Sequence, residues 1–351
     1  MKLKIEKRLE SPYWLKIIIP IVSIIGALLF CAIILIINKT NPIQAYKEIF
    51  SAAFGTKYGF SETLVKCIPL ILASLGIALA LNMLIWNIGA EGQLFIGAWF
   101  TTFIALYTNF PSLLKIPIMI ISGFLGGALW GVIPGILKAY LKVNEVITTL
   151  LMNYIAIFWV DYFVYGSWKD PKGYGFPYTS HFSPDEMLPE IGFGRLNIGI
   201  FLGIIIAIIL YLIIYKTKWG YEIRVIGENQ NVAKYSGINI EKNILIVMLI
   251  SGGLAGLAGM SIVSGIEGKL HHHISTGYGY TAIIIAWLAR KNPLLVILVS
   301  ILISGLFTGG EMIQISLGLS AAISRILQGA ILLFVLAGDF FLEYKIKITH
   351  T

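Results

Sequence analysis

Ile17 to Ile37 runs for 21 residues without a charged side chain, and stretches of the same character recur along the chain. A helix crossing the hydrocarbon of a bilayer needs about 20 mostly apolar residues at 1.5 Å rise each. By that measure the candidate spans are 17–37, 64–86, 91–109, 116–138, 145–165, 196–215, 243–265, 279–289, 293–314 and 319–338, about ten with the short eighth one. Lipid leaves unsatisfied backbone few options, and the ten-residue alternation of a barrel strand is absent, so the expectation is all-α. The chain reads as one polytopic transmembrane domain over residues 1–351.

Composition agrees. Charged residues make up 13% of the chain, against about 25% in soluble domains, and mean hydropathy is +0.84. The net charge of +8 does not indicate nucleic acid, because the bases sit in short clusters between apolar runs rather than along one face. The opening MKLKIEKR also fits the basic region of a signal peptide. The apolar run after it is longer than a signal core and has no small-x-small site behind it, so it reads as a retained first span. Cys31 and Cys67 lack metal-ligand or redox spacing.

With the N-terminus inside, sixteen Lys and Arg fall on the cytoplasmic side, nine outside, and Arg325 within a span. The bias favours both termini cytoplasmic. Two connections exceed simple turns: 166–195, external, with Pro171, Pro177, Pro184 and Pro189, and 216–242, the one sizeable cytoplasmic loop. Gly123, Gly127, Gly131 and Gly135 form a stripe on the fourth span, and Gly252 and Gly256 repeat the spacing on the seventh. Such stripes let helix backbones approach closely in lipid, as static packing or as a sliding surface.

Four constellations stand out. Asn87-Ile88-Gly89-Ala90-Glu91-Gly92-Gln93 interrupts a long apolar stretch and carries no Lys or Arg. It is either a solvated turn or a helix break at membrane depth, which must be buried in protein or line a cavity. On the second reading Asn87, Glu91 and Gln93 line a substrate pathway or its gate, with Trp86 and Trp99 available for stacking. In the inner loop, Asn229 is placed to cap a short helix through Tyr235, stopped at Gly237. Glu311 and Arg325 flank the last turn and are expected to form an ion pair. His271, His272 and His273 are consecutive and so share no helix face, which favours a polar outer loop over a metal site. No nucleotide-hydrolysis, zinc-protease or esterase motif occurs.

The run LNMLIWNIGAEGQLFIGAW (81–99) resembles the signature of permease subunits of bacterial ABC importers for nucleosides and simple sugars, in the ribose-permease-like superfamily that also holds branched-chain amino-acid permeases. The likeness continues through LKVNEVITTLLMNYIA (141–156), RVIGENQNVAKYSGI (224–238), GGLAGLAGM (252–260), GYTAIIIAWLARKNP (280–293) and GGEMIQ (309–314). The three histidines are a departure from it. The resemblance implies a type II importer permease in the bacterial plasma membrane. It implies a partner ATPase, carrying the ATP and Mg that this chain does not bind, docked on the inner loop at Gly220, Arg224, Gly227, Glu228, Asn229, Ala233, Tyr235 and Gly237. It also implies a second permease and an extracytoplasmic, lipid-anchored binding protein. ATP-driven closure would then switch the helices between states for which the partners differ in affinity. A secondary transporter would call for a coupling-ion route of several intramembrane acids, and a branched-chain amino acid for paired charges in the central segments. Only Glu91, Asp161, Glu311 and Asp339 are near spans, Asp339 reading as interfacial.

Overall fold

The computed structural model describes residues 2–7, 12–192 and 194–349. Arg8 lies outside them, as do the side chains of Lys2, Lys4, Lys7, Lys16, Asp339, Lys345 and Lys347. In chain order the elements are β1 (Lys2–Lys7), α1 (Tyr13–Ile37), α2 (Pro42–Phe50), α3 (Lys57–Asn82), α4 (Ala90–Tyr107), α5 (Ser112–Leu141), α6 (Glu145–Tyr165) and α7 (Gly199–Lys216). They continue as α8 (Lys218–Glu228), α9 (Gln230–Tyr235), α10 (Ile240–Ile262), α11 (Tyr278–Leu288), α12 (Pro293–Ser316), α13 (Ala321–Glu343) and β2 (Tyr344–Thr349). The fold is helical, as expected, and β1 and β2 add a short two-stranded antiparallel ribbon.

Among the described residues seven helices are long and apolar enough to cross a bilayer, or eight if α1 and α2, bent by 117° about residues 38–41, count as one. The expected spans 91–109 and 279–289 correspond to α4 and α11, which are not among the seven. The reason is packing. α4 is enclosed by protein along most of its length, so it carries Glu91, Gln93, Thr101 and Thr102 buried. The two threonines return their hydroxyls to Gly97 O and Ala98 O, both at 2.8 Å. A helix that protein covers does not need a lipid-compatible surface.

The chain forms two compact units, residues 61–304 and residues 1–60 with 305–351. In the larger unit α10 is central, with 83% of its apolar stretch buried, while α6 has only 22%. The glycine stripes meet: α5 crosses α10 with Gly127 against Gly252 and Gly256, and Gly97 of α4 closes on Gly256. A Cβ at Gly127 would lie 2.6 Å from Gly256 Cα, so only glycine allows the crossing. α6 turns outward an apolar face that includes Tyr154, Phe158, Trp159 and Tyr162, suited to lipid or another apolar chain.

In the smaller unit Asn41 caps α2 through the amide of Ile43 at 3.0 Å, with Pro42 at the first helical position. Cys31, Leu35, Ala45, Ile313, Leu319 and Leu327 form its core. Glu311 and Arg325, expected to pair, lie on α12 and α13. Both residues are exposed, and Arg325 Nε turns back to Ala321 O one turn earlier in its own helix, at 3.4 Å.

Candidate functional site

The polar residues between α3 and α4 are buried in protein. α3 ends at Asn82, whose Nδ2 donates to Ala78 O at 2.8 Å and Lys291 O at 3.2 Å. Leu84 takes a left-handed conformation (φ 55°), and the chain turns back to start α4 at Ala90. Asn87, Glu91 and Gln93 are 1%, 3% and 1% exposed, which excludes the solvated turn.

Their polar atoms are engaged by one another and by neighbouring helices. Asn87 Nδ2 donates to Gln93 Oε1 at 2.9 Å, and Gln93 Nε2 returns a bond to Asn87 Oδ1 at 3.0 Å. Asn87 Nδ2 also donates to Ser251 Oγ on α10 at 2.9 Å. From α6, Asn153 accepts from Gly92 N at 2.8 Å and donates to Ile88 O at 2.9 Å and Tyr280 Oη at 3.3 Å. One side chain thus satisfies two backbone groups freed where the helix breaks. Asn153→Leu strands both, at about 1–3 kcal/mol for each buried group left unpaired. A clear fall in the thermal unfolding temperature of the purified protein is expected.

Glu91 occupies the point where two helices begin. Gly279, in the first turn of α11, donates its amide to Glu91 Oε2 at 2.7 Å, while Glu91 sits in the first turn of α4. A Cβ at Gly279 would lie 2.5 Å from Glu91 Cα, so glycine is what brings these N-termini together. Ser275 Oγ accepts from the amides of Gly277 and Tyr278 at 3.1 and 3.0 Å, tightening the turn into α11. Two positive helix ends therefore share one carboxyl group.

The two tryptophans sit apart from this cluster. Trp86 is half-exposed and stacks on Trp287, ring centroids 5.4 Å apart. Trp99 lies nearly parallel to Trp168 at 5.1 Å and contacts Phe103, Trp159 and Phe163, so its faces are occupied. Asn153 and Ser251 are the members that sequence reading missed. Asn153 carried a usable signal, an amide in the apolar run 145–165.

The inner loop is a pair of helices. α9 is capped as expected, Asn229 Oδ1 accepting from Asn231 N at 2.9 Å, and Gly237 leaves it at φ 73°. α8 is not among the elements expected from the sequence, where 216–242 is a loop with one short helix after Asn229. Gly220 and Gly227 are contact points: α8 packs with Gly220 on the carbonyls of Ile213 and Ile214, and Gly227 on that of Asn82. Gly220, Gly227 and Ala233 are buried, whereas Glu228, Asn229, Tyr235 and Gly237 are exposed. The Arg224 guanidinium lies 5.5 Å over the Tyr215 ring. Ile226 to Glu228 and Met83 to Ile85 line one cavity of about 190 Å³, so the helix pair abuts the turn that leads into the buried cluster.

At the other end of the larger unit, the 166–195 segment pairs with 264–272: Thr179 N donates to Leu270 O at 2.9 Å and Phe182 N to Gly268 O at 2.7 Å. Arg195 grips Glu62 with two bonds, at 3.0 and 2.6 Å. The histidines belong to this tie. His272 Nδ1 meets Asp161 Oδ1 at 2.7 Å, and His271 Nε2 meets Glu267 Oε2 at 3.4 Å. The bond to Glu267 chiefly raises the His271 pKa. A raised pKa means this contact is fully present below the ordinary value near 6.5 and lost as pH rises through the folded value. The protection factors of amides in 264–272, taken against the intrinsic exchange rate at each pH, are expected to fall over that rise, and His271→Gln to remove the fall.

The chain matches the family described as branched-chain amino acid transport system / permease component over residues 59–336. The glucose ABC transporter permease protein TsgB13 of Haloferax volcanii is 31% identical over 99% of this chain and 94% of its own length. The guanosine ABC transporter permease protein NupP of Bacillus subtilis is 34% identical over 91% and 92%. The nucleoside ABC transporter permease protein NupB of Lactococcus lactis is 31% identical over 91% and 90%. With a family match spanning most of its length and relatives aligned nearly end to end, this multi-pass membrane chain belongs to the branched-chain amino acid transport system / permease component family and is a permease subunit of an ABC importer.

Proposed function

We propose that this permease translocates a nucleoside or simple sugar, handed over by an extracytoplasmic binding lipoprotein and driven by a partner ATPase. The observation that carries the reading is the nearly full-length similarity to relatives named for glucose, guanosine and nucleosides. The chain is not itself an enzyme. ATP and Mg belong to the partner ATPase, which docks on the exposed residues of α8 and α9, while the buried glycines hold that pair to the bundle. A second permease completes the transmembrane pathway. The chain has about ten spans, counting α4 and α11, with both termini cytoplasmic, in a bacterial plasma membrane.

Asn87, Glu91 and Gln93 act as the gate rather than the pathway wall. Their hydrogen bonds to one another, to Ser251 and to Gly279 support this, because they describe a closed arrangement with a distinct open alternative only if these bonds exchange. Contact of Gly227 with the end of α3 gives motion of α8 a direct route to the turn at 83–89. The test is uptake by the complex reconstituted in liposomes with labelled guanosine and labelled glucose in competition. ATP-dependent uptake of one, absent without the binding protein, is the expected result. Uptake by this chain alone on an ion gradient would overturn the reading.

A further inference from the structure

α2 (Pro42–Phe50) continues through a π-helical turn over Ser51–Gly55, and the two together are bent by 117° from α1. A bend beyond a right angle turns the chain back along α1 instead of across its end. Tyr46 reaches in that direction: its Oη donates to Leu28 O, more than two turns before α1 ends at Ile37. At 1.5 Å rise per residue that carbonyl lies about 13 Å inside the end of the helix.

Contacts with α12 give the depth. Ala45 shares a core with Ile313. One turn on, Ile49 lies against Gly309, where an added Cβ would fall 2.7 Å from the Ile49 carbonyl oxygen. One turn further, the Ala53 Cβ is 3.5 Å from the place a Cβ would take at Gly305. The two segments run antiparallel in a constant register, with glycine and alanine admitting the close approach. α12 is long and apolar enough to cross the bilayer, and Gly305 stands midway between its ends at Pro293 and Ser316. Ala53 is therefore at mid-span.

The helix breaks just beyond, at Thr56, and protein closes the break. Thr56 Oγ1 accepts from Gly59 N at 2.9 Å, Thr56 O accepts from Phe60 N at 2.9 Å, and Gly59 rests on the Ala52 carbonyl. Irregular backbone at membrane depth requires such cover. The side of α2 away from α12 carries Ile43, Lys47 and Phe50, at the four- and three-residue steps that share a helix face. Ile43 is 79% and Phe50 67% exposed, and Lys47 is exposed as well. Beside a span, apolar side chains turned away from the protein meet acyl chains. Lys47 is little more than one turn from the start of α2, and its stem is long enough to carry the ammonium back to the headgroups.

We propose that residues 42–55 form a membrane-inserted half-helix: α2 enters the bilayer at the boundary where α1 ends, descends along α12 to mid-span, and presents its Ile43, Lys47 and Phe50 face to lipid. It covers half the thickness and adds no crossing of its own. The inference rests on α12 being a membrane span and is independent of what the permease carries.

The test uses the full chain in nanodiscs, with one nitroxide at a time on Ile43→Cys, Lys47→Cys or Phe50→Cys. Ile37→Cys and Leu29→Cys, at exposed positions of α1, give boundary and interior references. The native thiols of Cys31 and Cys67 are buried. Collision rates with oxygen, which concentrates in lipid, and with a water-soluble nickel chelate report the depth of each label. The oxygen-to-nickel ratio is expected to climb from position 43 through 47 to 50, several-fold in all, and to approach the Leu29 value at 50. If Phe50→Cys fails to accumulate, the step from 43 to 47 carries the same gradient. Equal ratios along the face mean that α2 lies flat on the surface and overturn the proposal. A nickel-accessible label at 50 places it in water, and a label shielded from both reagents means that another protein surface covers it; either result also overturns it.

Discussion

Glu91→Ala is expected to abolish most ATP-driven uptake by the reconstituted complex and to lower the stability of the permease by on the order of 3 kcal/mol. The alanine removes the acceptor of the Gly279 amide, one of the first-turn donors that α11 cannot satisfy internally. It also removes the carboxyl group set where α4 and α11 begin, at a residue only 3% exposed. Glu91→Gln separates the two contributions. It keeps an oxygen acceptor of the same reach and gives up the carboxyl group's capacity to ionise, a charge whose burial carries its own desolvation cost. Near-native thermal unfolding with impaired uptake is expected for the glutamine variant. If both variants transported at the native rate, the gate assigned to this cluster would be wrong.

Gly256→Leu is expected to prevent accumulation of folded protein. Gly256 stands where three backbones meet: Gly127 of α5 and Gly97 of α4 both close on it, and a Cβ there would fall on the carbonyl oxygen of Gly123 and within 2.9 Å of Gly127 Cα. Overpacking a well-filled core typically costs about 1–3 kcal/mol when side chains can shift. Here the obstructing atoms are backbone, so relief requires helices to separate and the cost lies above that range. The measurement is the monodisperse fraction after detergent extraction. Gly329→Ala on α13, where an added Cβ meets nothing within 4 Å, is the control expected to extract like the native chain.

These effects fall on features that were unequally legible in the sequence. The apolar runs announced helices in a bilayer, because a 30 Å hydrocarbon layer imposes its length on any segment that crosses it. The two glycine stripes were visible as spacing, yet nothing local says which stripe meets which, or that Gly97 joins them. α8 was not among the expected elements, and only the packing reveals Gly220 and Gly227 as the surfaces on which that helix rests.

The candidate site divides in the same way. Asn87, Glu91 and Gln93 could be singled out because polar groups in an apolar stretch are costly, and so need a partner or a purpose. The sequence by itself thus determined the solvent of this protein, its helical character, its relationship to ABC permeases and the place where polar chemistry enters the apolar interior. Only the tertiary structure decided how that chemistry is closed: Asn153 bridging Gly92 and Ile88, Ser251 reaching Asn87, and the α11 N-terminus meeting Glu91. Those partners lie between 61 and 188 residues away along the chain. Hydrogen bonds act over about 3 Å, and no local periodicity encodes which distant backbone will arrive within that reach.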